Sequence, residues 1–187
     1  MLADCAVTGR ISVPGTSEMR LLGARIAQLL RAGDLVVLAG SLGAGKTTLV
    51  QGVGAGLAVR GPVTSPTFVI ARLHPSVRGG PDLVHADAYR LGSRLEVDDL
   101  DLDADLDHSV TVVEWGDGLV ENLAASHLRI TIERPAAEQD AAGTGPAGTE
   151  PAGDAGDQVR HVSRTGYGER WAAAAGELRR VLGEAPR

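Results

Sequence analysis

The nine residues Gly40-Ser41-Leu42-Gly43-Ala44-Gly45-Lys46-Thr47-Thr48 constrain this chain more than any other stretch. They match G-x-x-x-x-G-K-[ST], the phosphate-binding loop that joins a strand to a helix. The flanks suit that order. Residues 34–39, Asp-Leu-Val-Val-Leu-Ala, read as a buried strand, and the chain from Lys46 to about Leu57 as a helix. A triphosphate needs several donors converging on its oxygens. Gly43 and Gly45 keep the loop bare, so that backbone N–H groups can approach and φ can be positive. The helix start adds its dipole and its free N–H groups. Lys46 is then placed to reach the β- and γ-phosphates, Thr47 to ligate Mg²⁺, and Thr48 to support the α- and β-phosphates.

Bulk properties narrow the function. A chain of 187 residues predicts one domain. The net charge of −6, from 24 acidic and 18 basic residues, disfavours a general binder of nucleic-acid backbone, which needs a basic face. The single cysteine, Cys5, excludes an internal disulfide. No apolar run approaches the ~20 residues of a membrane span. The N-terminus, with Asp4 and no long apolar stretch, does not read as a signal peptide. The expectation is a soluble, cytoplasmic protein with no membrane association.

Taken in order, residues 1–9 read as loose and Arg10 to Val13 as a short strand. Thr16 or Ser17 offers a cap to a helix carrying Leu22, Ile26, Leu29 and Leu30 on one face, with Gly33 as its stop. Gly52, Gly54 and Gly56 make the helix after the loop either weak or closely packed. Residues 68–73 and 83–89 read as a hairpin, 92–108 as an acidic helix and loop, and Val110 to Val113 as a buried strand. Leu119 to Ala125 reads as a short helix, and His127 to Glu133 as a strand with Leu128, Ile130 and Ile132 facing one way. Residues 135–158 consist mostly of Ala, Gly, Pro and acids and read as a flexible low-complexity insert. A strand resumes at Val159. Glu169 to Leu182 reads as a last helix with Trp171, Ala174, Ala175, Leu178 and Val181 as its stripe and Gly183 as its end.

Several residues outside the loop invite chemistry. Glu114 ends an apolar strand, where ligands of such folds bind; it can hold the Mg²⁺ shell or orient water. Asp87, in His85-Ala86-Asp87-Ala88-Tyr89-Arg90, is an acid on an inner strand. It is costly there unless bound near Mg²⁺, acting as a base for water, or paired with Arg72 or Arg90. His85 reads as either structural or catalytic. Thr67, in Ser65-Pro66-Thr67, can sense the γ-phosphate or simply make a turn. Trp115 can stack on a nucleotide, meet a partner or pack. Phe68, Tyr89 and Trp115, three of only five aromatics, fall in these segments. Asp103, Asp105, Asp107 and Glu114 mimic part of a calcium loop, but His108 stands where that loop needs Gly, so the acidic run reads as a solvated face.

Four motifs in order carry a family resemblance: Gly40 to Thr48, Ser65 to Phe68, His85 to Leu91, and Val110 to Trp115. Together they resemble the tRNA threonylcarbamoyladenosine biosynthesis protein TsaE (YjeE) family, over residues 10–134 and 158–182. The resemblance implies a single-domain α/β P-loop fold, with a mostly parallel central sheet, an antiparallel part and helices on both faces. It implies slow ATP hydrolysis, with partners TsaB and TsaD, in making N6-threonylcarbamoyladenosine at position 37 of tRNAs that read codons beginning with A. Contact with tRNA would run through the complex. By position, Gly43, Ala44, Gly45, Lys46, Thr47 and Thr48 would bind ATP. Thr47 and Glu114 would hold Mg²⁺, Asp87 would lie at the nucleotide, and Thr16 and Arg160 would touch it. The 135–158 insert and the acidic 98–107 segment depart from the family pattern. The other readings of the same residues are a small-molecule kinase, a regulatory GTPase and a non-catalytic ATP-binding adaptor. No arginine-rich lid supports the first. The second lacks its base-reading motif, since the only asparagine, Asn122, precedes Leu123.

Overall fold

The structure is a computed structural model and describes residues 5–66, 69–98, 100, 102, 105–135 and 158–182. Its strands are β1 (Cys5–Pro14), β2 (Leu35–Ala39), β3 (Ala71–His74), β4 (Asp82–Asp87), β5 (Ser109–Glu114), β6 (His127–Glu133) and β7 (Val159–Tyr167). Its helices are α1 (Gly15–Ala27), α2 (Lys46–Gly56), α3 (Arg94–Asp98), α4 (Glu169–Ala173) and α5 (Ala175–Val181). All seven strands form one sheet in the order β1-β7-β6-β2-β5-β4-β3. The four central strands, β6-β2-β5-β4, run parallel; β3 is antiparallel at one margin, and at the other β7 is antiparallel to both β6 and β1, so that β1 runs in the direction of the central strands. Leu35, Val36, Val37 and Leu38 are all buried, because β2 is covered on both sides.

Period-two alternation sorts the side chains between two cores. Val36, Leu38, Leu83, Val110, Val112, Leu128, Ile130 and Ile132 pack under α1, α2 and the C-terminal helices. Leu35, Val37, Val84, Ala86 and Val113 face the other way, against Val97, Leu102 and Val120. His85 and Asp87 share the parity of Leu83, and Glu114 that of Val112. These three therefore lie on the side covered by α2. Within the acidic 98–107 segment Asp105 and Asp107 are exposed, and Leu102 and Leu106 are buried.

The glycines of α2 are close-packing residues. A Cβ on Gly52 would stand 2.8 Å from the carbonyl carbon of Arg20 in α1, and one on Gly23 would stand 2.8 Å from Val53 N. Only hydrogen fits at these points, and the two helices lie backbone to backbone. At the start of β2, Asp34 is buried. It accepts from Arg170 Nε at 3.0 Å, Arg170 Nη2 at 2.9 Å and its near neighbour Arg31 N at 3.0 Å. The first two bonds fasten α4 to the sheet.

Some local expectations fail. Residues 5–9 belong to β1, since nine register pairs with β7 outweigh a weak local strand signal. α1 begins at Gly15 with no side-chain cap, and it ends at Ala27, before Leu29 and Leu30. The segment 119–125 forms only a 3₁₀ turn, Glu121–Leu123. The last helix breaks at Ala174. Phe68, Gly183 and positions 136–157 of the insert lie outside the described residues.

Candidate functional site

The site gathers where β2, β4 and β5 end and α2 begins. Gly40, Gly43 and Gly45 all have positive φ, at 141°, 70° and 108°. The first brings the turn against the backbone of β6, where a Cβ would run into the carbonyl oxygen of Ile132. The last lies just before α2 and leaves the helix mouth without a side chain. Ala44 is fully buried, and Thr47 and Thr48 are half-buried in the first turn.

Lys46 is 4% exposed. Its Nζ donates to Gly40 O at 2.9 Å and Ser41 O at 3.0 Å, and it lies 3.8 Å from the centre of the Trp115 ring. Burial holds its pKa below the ordinary lysine value; the Glu114 and Asp87 charges oppose that shift and Arg134 adds to it. Trp115 has φ of 61°, a left-handed conformation rare for a bulky side chain. Its backbone N donates to Leu38 O at 2.9 Å, which closes the end of β5 onto β2. The strained backbone and the ring over Lys46 occur in the same residue, and such strain concentrates at functional sites. Tyr89 packs against Trp115 at 5.0 Å between ring centres.

Glu114 is the hub. Its Oε1 accepts from Thr47 Oγ1 at 2.8 Å and lies 2.9 Å from His85 Nε2. Asp87 is the register partner of Glu114 on the adjacent parallel strand. Asp87 Oδ1 accepts from Tyr89 N at 3.0 Å, and Oδ2 lies 3.5 Å from Ser65 Oγ, at the outer limit of a hydrogen bond. Lys46, Thr47, Asp87, Glu114 and Trp115 are thus brought together.

Two other residues expected to contact nucleotide sit on other elements. Thr16 is in the first turn of α1, and Arg160 pairs with Val13 across β1 and β7. Both stand at the same end of the sheet as the loop. Arg160 donates to Gln158 O at 2.9 Å and to Gln158 Oε1 at 3.2 Å. Thr67 lies outside the described residues.

One site residue went unread in the sequence. Arg134 directly follows β6, and its Nη2 donates to Leu42 O in the loop. The same nitrogen occupies space that a side chain at Gly43 would need, 2.5 Å from a built Cβ. The available signal was a lone arginine between the last strand residue, Glu133, and Pro135.

The comparisons with known proteins agree with one another. A family model described as threonylcarbamoyl adenosine biosynthesis protein TsaE matches residues 13–142. A tRNA threonylcarbamoyladenosine biosynthesis protein TsaE of Streptomyces coelicolor is 59% identical over 157 residues, which span 83% of this chain and 95% of that protein. One from Bacillus subtilis is 32% identical, spanning 87% of this chain and 89% of the relative. The crystal structure of YdiB from Bacillus subtilis superposes with a TM-score of 0.66 at 27% identity, covering 92% of this chain and 95% of that one.

Proposed function

Because this chain belongs to the TsaE family of threonylcarbamoyl adenosine biosynthesis proteins, we propose that it serves tRNA threonylcarbamoyladenosine formation as an Mg²⁺-dependent ATPase. In this reading it is a nucleotide-driven switch on a complex of TsaB- and TsaD-type partners. The observation that carries the reading is the 2.8 Å bond between Thr47 Oγ1 and Glu114 Oε1 at the mouth of α2. It puts a hydroxyl and a carboxylate, both hard oxygen donors, beside the phosphate-binding turn.

That donor set suits Mg²⁺, which takes one or two protein oxygens and completes its shell with phosphate and water. Among the described residues no group of three or more His, Cys, Asp or Glu is placed to hold a metal. The ion would therefore depend on the nucleotide for the rest of its shell. Bound there, Mg²⁺ would neutralise charge building on the β- and γ-oxygens.

The chain's own residues supply the remainder. Gly43, Ala44 and Gly45 present backbone N–H groups, and Thr48 supports the inner phosphates. Lys46 exchanges the Gly40 and Ser41 carbonyls for phosphate oxygens, and its burial strengthens that contact. Glu114 and Asp87 share the tasks of holding the water shell and orienting the attacking water. Thr16, Thr67, Trp115 and Arg160 are the remaining nucleotide contacts. Contact with tRNA then falls mainly to the partners, in keeping with a net charge of −6. Among the described residues no helix is long and apolar enough to cross a membrane.

The test is phosphate release from ATP with and without a TsaB–TsaD pair. Release should need Mg²⁺, rise with the pair, and fall in Lys46→Ala. Losing a charge-assisted hydrogen bond of ~1.5–3 kcal/mol should weaken ATP binding about 10- to 100-fold. Phosphate appearing on an added acceptor instead would turn the reading to a kinase. Lys46→Ala binding ATP as the parent does would refute it.

A further inference from the structure

His85 is fully buried in the middle of β4. Its register neighbours are Arg72 on β3 and Val112 on β5. Leu83, two residues earlier on the same face, is a core residue, and an apolar side chain would pack at 85 without a polar demand. The imidazole meets that demand at one end only. Nε2 lies 2.9 Å from Glu114 Oε1, whereas Nδ1 is buried with no hydrogen-bond partner among the described residues. A buried polar atom left unsatisfied costs about 1–3 kcal/mol. Stability alone therefore gives no reason for histidine here. The one bond it makes goes to the carboxylate that also receives Thr47.

We propose that His85 is a positioning residue for the magnesium site, its Nε2–H holding Glu114 Oε1 where Thr47 requires it. The inference rests on the proposed function. A hydroxyl that gives a lone pair to a cation must send its hydrogen elsewhere, and Glu114 Oε1 is the acceptor within reach of Thr47. A glutamate has three rotatable bonds and does not hold one orientation by itself. Two donors on one oxygen, one from α2 and one from β4, fix it. The tautomer follows from the same contacts. A carboxylate opposite Nε2 places the proton there, and Nδ1, buried without a hydrogen-bond partner among the described residues, keeps the lone pair. Partners of this kind, one step behind a metal ligand, are typically worth about 10- to 100-fold in metal affinity or activity.

The experiment titrates Mg²⁺ into protein loaded with a fluorescent ADP analogue, alongside thermal melts. Three variants are compared: His85→Leu, which fills the space without a donor; His85→Gln, whose amide nitrogen can occupy the place of Nε2; and His85→Asn, whose shorter amide cannot reach. Expected are a roughly 10-fold or greater loss of Mg²⁺ affinity in Leu and Asn, largely restored in Gln, with Mg²⁺-free nucleotide binding unchanged in all three. In turnover the same pattern should appear in kcat, with little change in KM. Should His85→Leu fail to fold, the Gln and Asn pair still decides. Asn equal to the parent, or Gln as weak as Asn, overturns the positioning role while the ATPase reading stands. A parent protein whose nucleotide binding ignores Mg²⁺ overturns both.

Discussion

Replacing Gly52 with alanine sets two effects of known size against each other. Within a helix, Ala is favoured over Gly by about 1 kcal/mol, so an unconstrained site gains stability. At Gly52 the new Cβ would stand 2.8 Å from the carbonyl carbon and 2.9 Å from the Cα of Arg20, and closer still to its carbonyl oxygen. Ordinary carbon contacts lie at about 3.5–4.0 Å and the carbonyl oxygen is the tightest neighbour, so α1 must retreat by roughly 1 Å. These neighbours are backbone, and no rotamer change relieves them. A gap of that size forfeits a quarter to a half of each contact across the interface. With on the order of 50 atom pairs at ~0.15 kcal/mol, the loss is about 2–4 kcal/mol. Packing wins, and the net destabilisation is about 1–3 kcal/mol, or a fall of roughly 3–10 °C in Tm. Gly176 in α5 is the control, because nothing lies within 4 Å of a Cβ there. Gly176→Ala should leave Tm unchanged or raise it by up to about 4 °C. Differential scanning calorimetry measures both. If Gly52→Ala melts at or above the parent, the backbone-to-backbone contact of α1 with α2 is wrong.

Arg134→Ala removes a cation from the loop and should weaken ATP binding about fivefold, the loss of ~1 kcal/mol from a partly exposed bond; equal affinity in a nucleotide titration would remove Arg134 from the site. Asp34→Ala strands the Arg170 guanidinium, whose side chain is only 15% exposed, and should cost about 3–5 kcal/mol. The double change Asp34→Leu with Arg170→Met should cost much less in urea unfolding, and simple additivity would contradict the pairing. His127, stacked on Tyr167 at 4.6 Å, has its pKa held below the ordinary 6.5, chiefly by burial, and His74 shifts the same way for the same reason. The unfolded chain then takes up these protons first. Stability is full above pH 6.5 and declines as pH falls from 6.5 toward the folded pKa, by at most ~1.4 kcal/mol per pH unit for each histidine. His127→Phe keeps the stack and should flatten that slope between pH 7.5 and 5.5; an unchanged slope would count against it.

The central strands were legible because their apolar runs are short, bounded and local. β6 shows its alternation outright, and β5 its continuous burial. The margins were not legible, for a physical reason. β1 is held by pairing with residues some 150 positions later, and its segment 5–9, Cys-Ala-Val-Thr-Gly, has weak strand preference of its own. Helix ends failed similarly. α1 starts at Gly15 because β1 delivers the chain there, whatever cap Thr16 or Ser17 offers.

The site divides along the same line. The glycine turn and the places of Lys46 and Thr47 at the mouth of α2 are set by nine consecutive residues, so that geometry could be read directly. What supports them comes from elsewhere in the chain. His85 reaches Glu114 because β4 and β5 are parallel neighbours in a register that sets Asp87 opposite Glu114, and no local pattern encodes that register. Arg134 reaches Leu42 because β6 lies beside β2 and runs two residues past Thr131, the partner of Ala39, alongside the loop. Lys46, Thr47 and Glu114 meet beside the glycine turn only while β2, β4, β5 and α2 keep their mutual register. A one-residue slip of β4 would turn His85 and Asp87 to the opposite face of the sheet and strip Glu114 of one of its two donors.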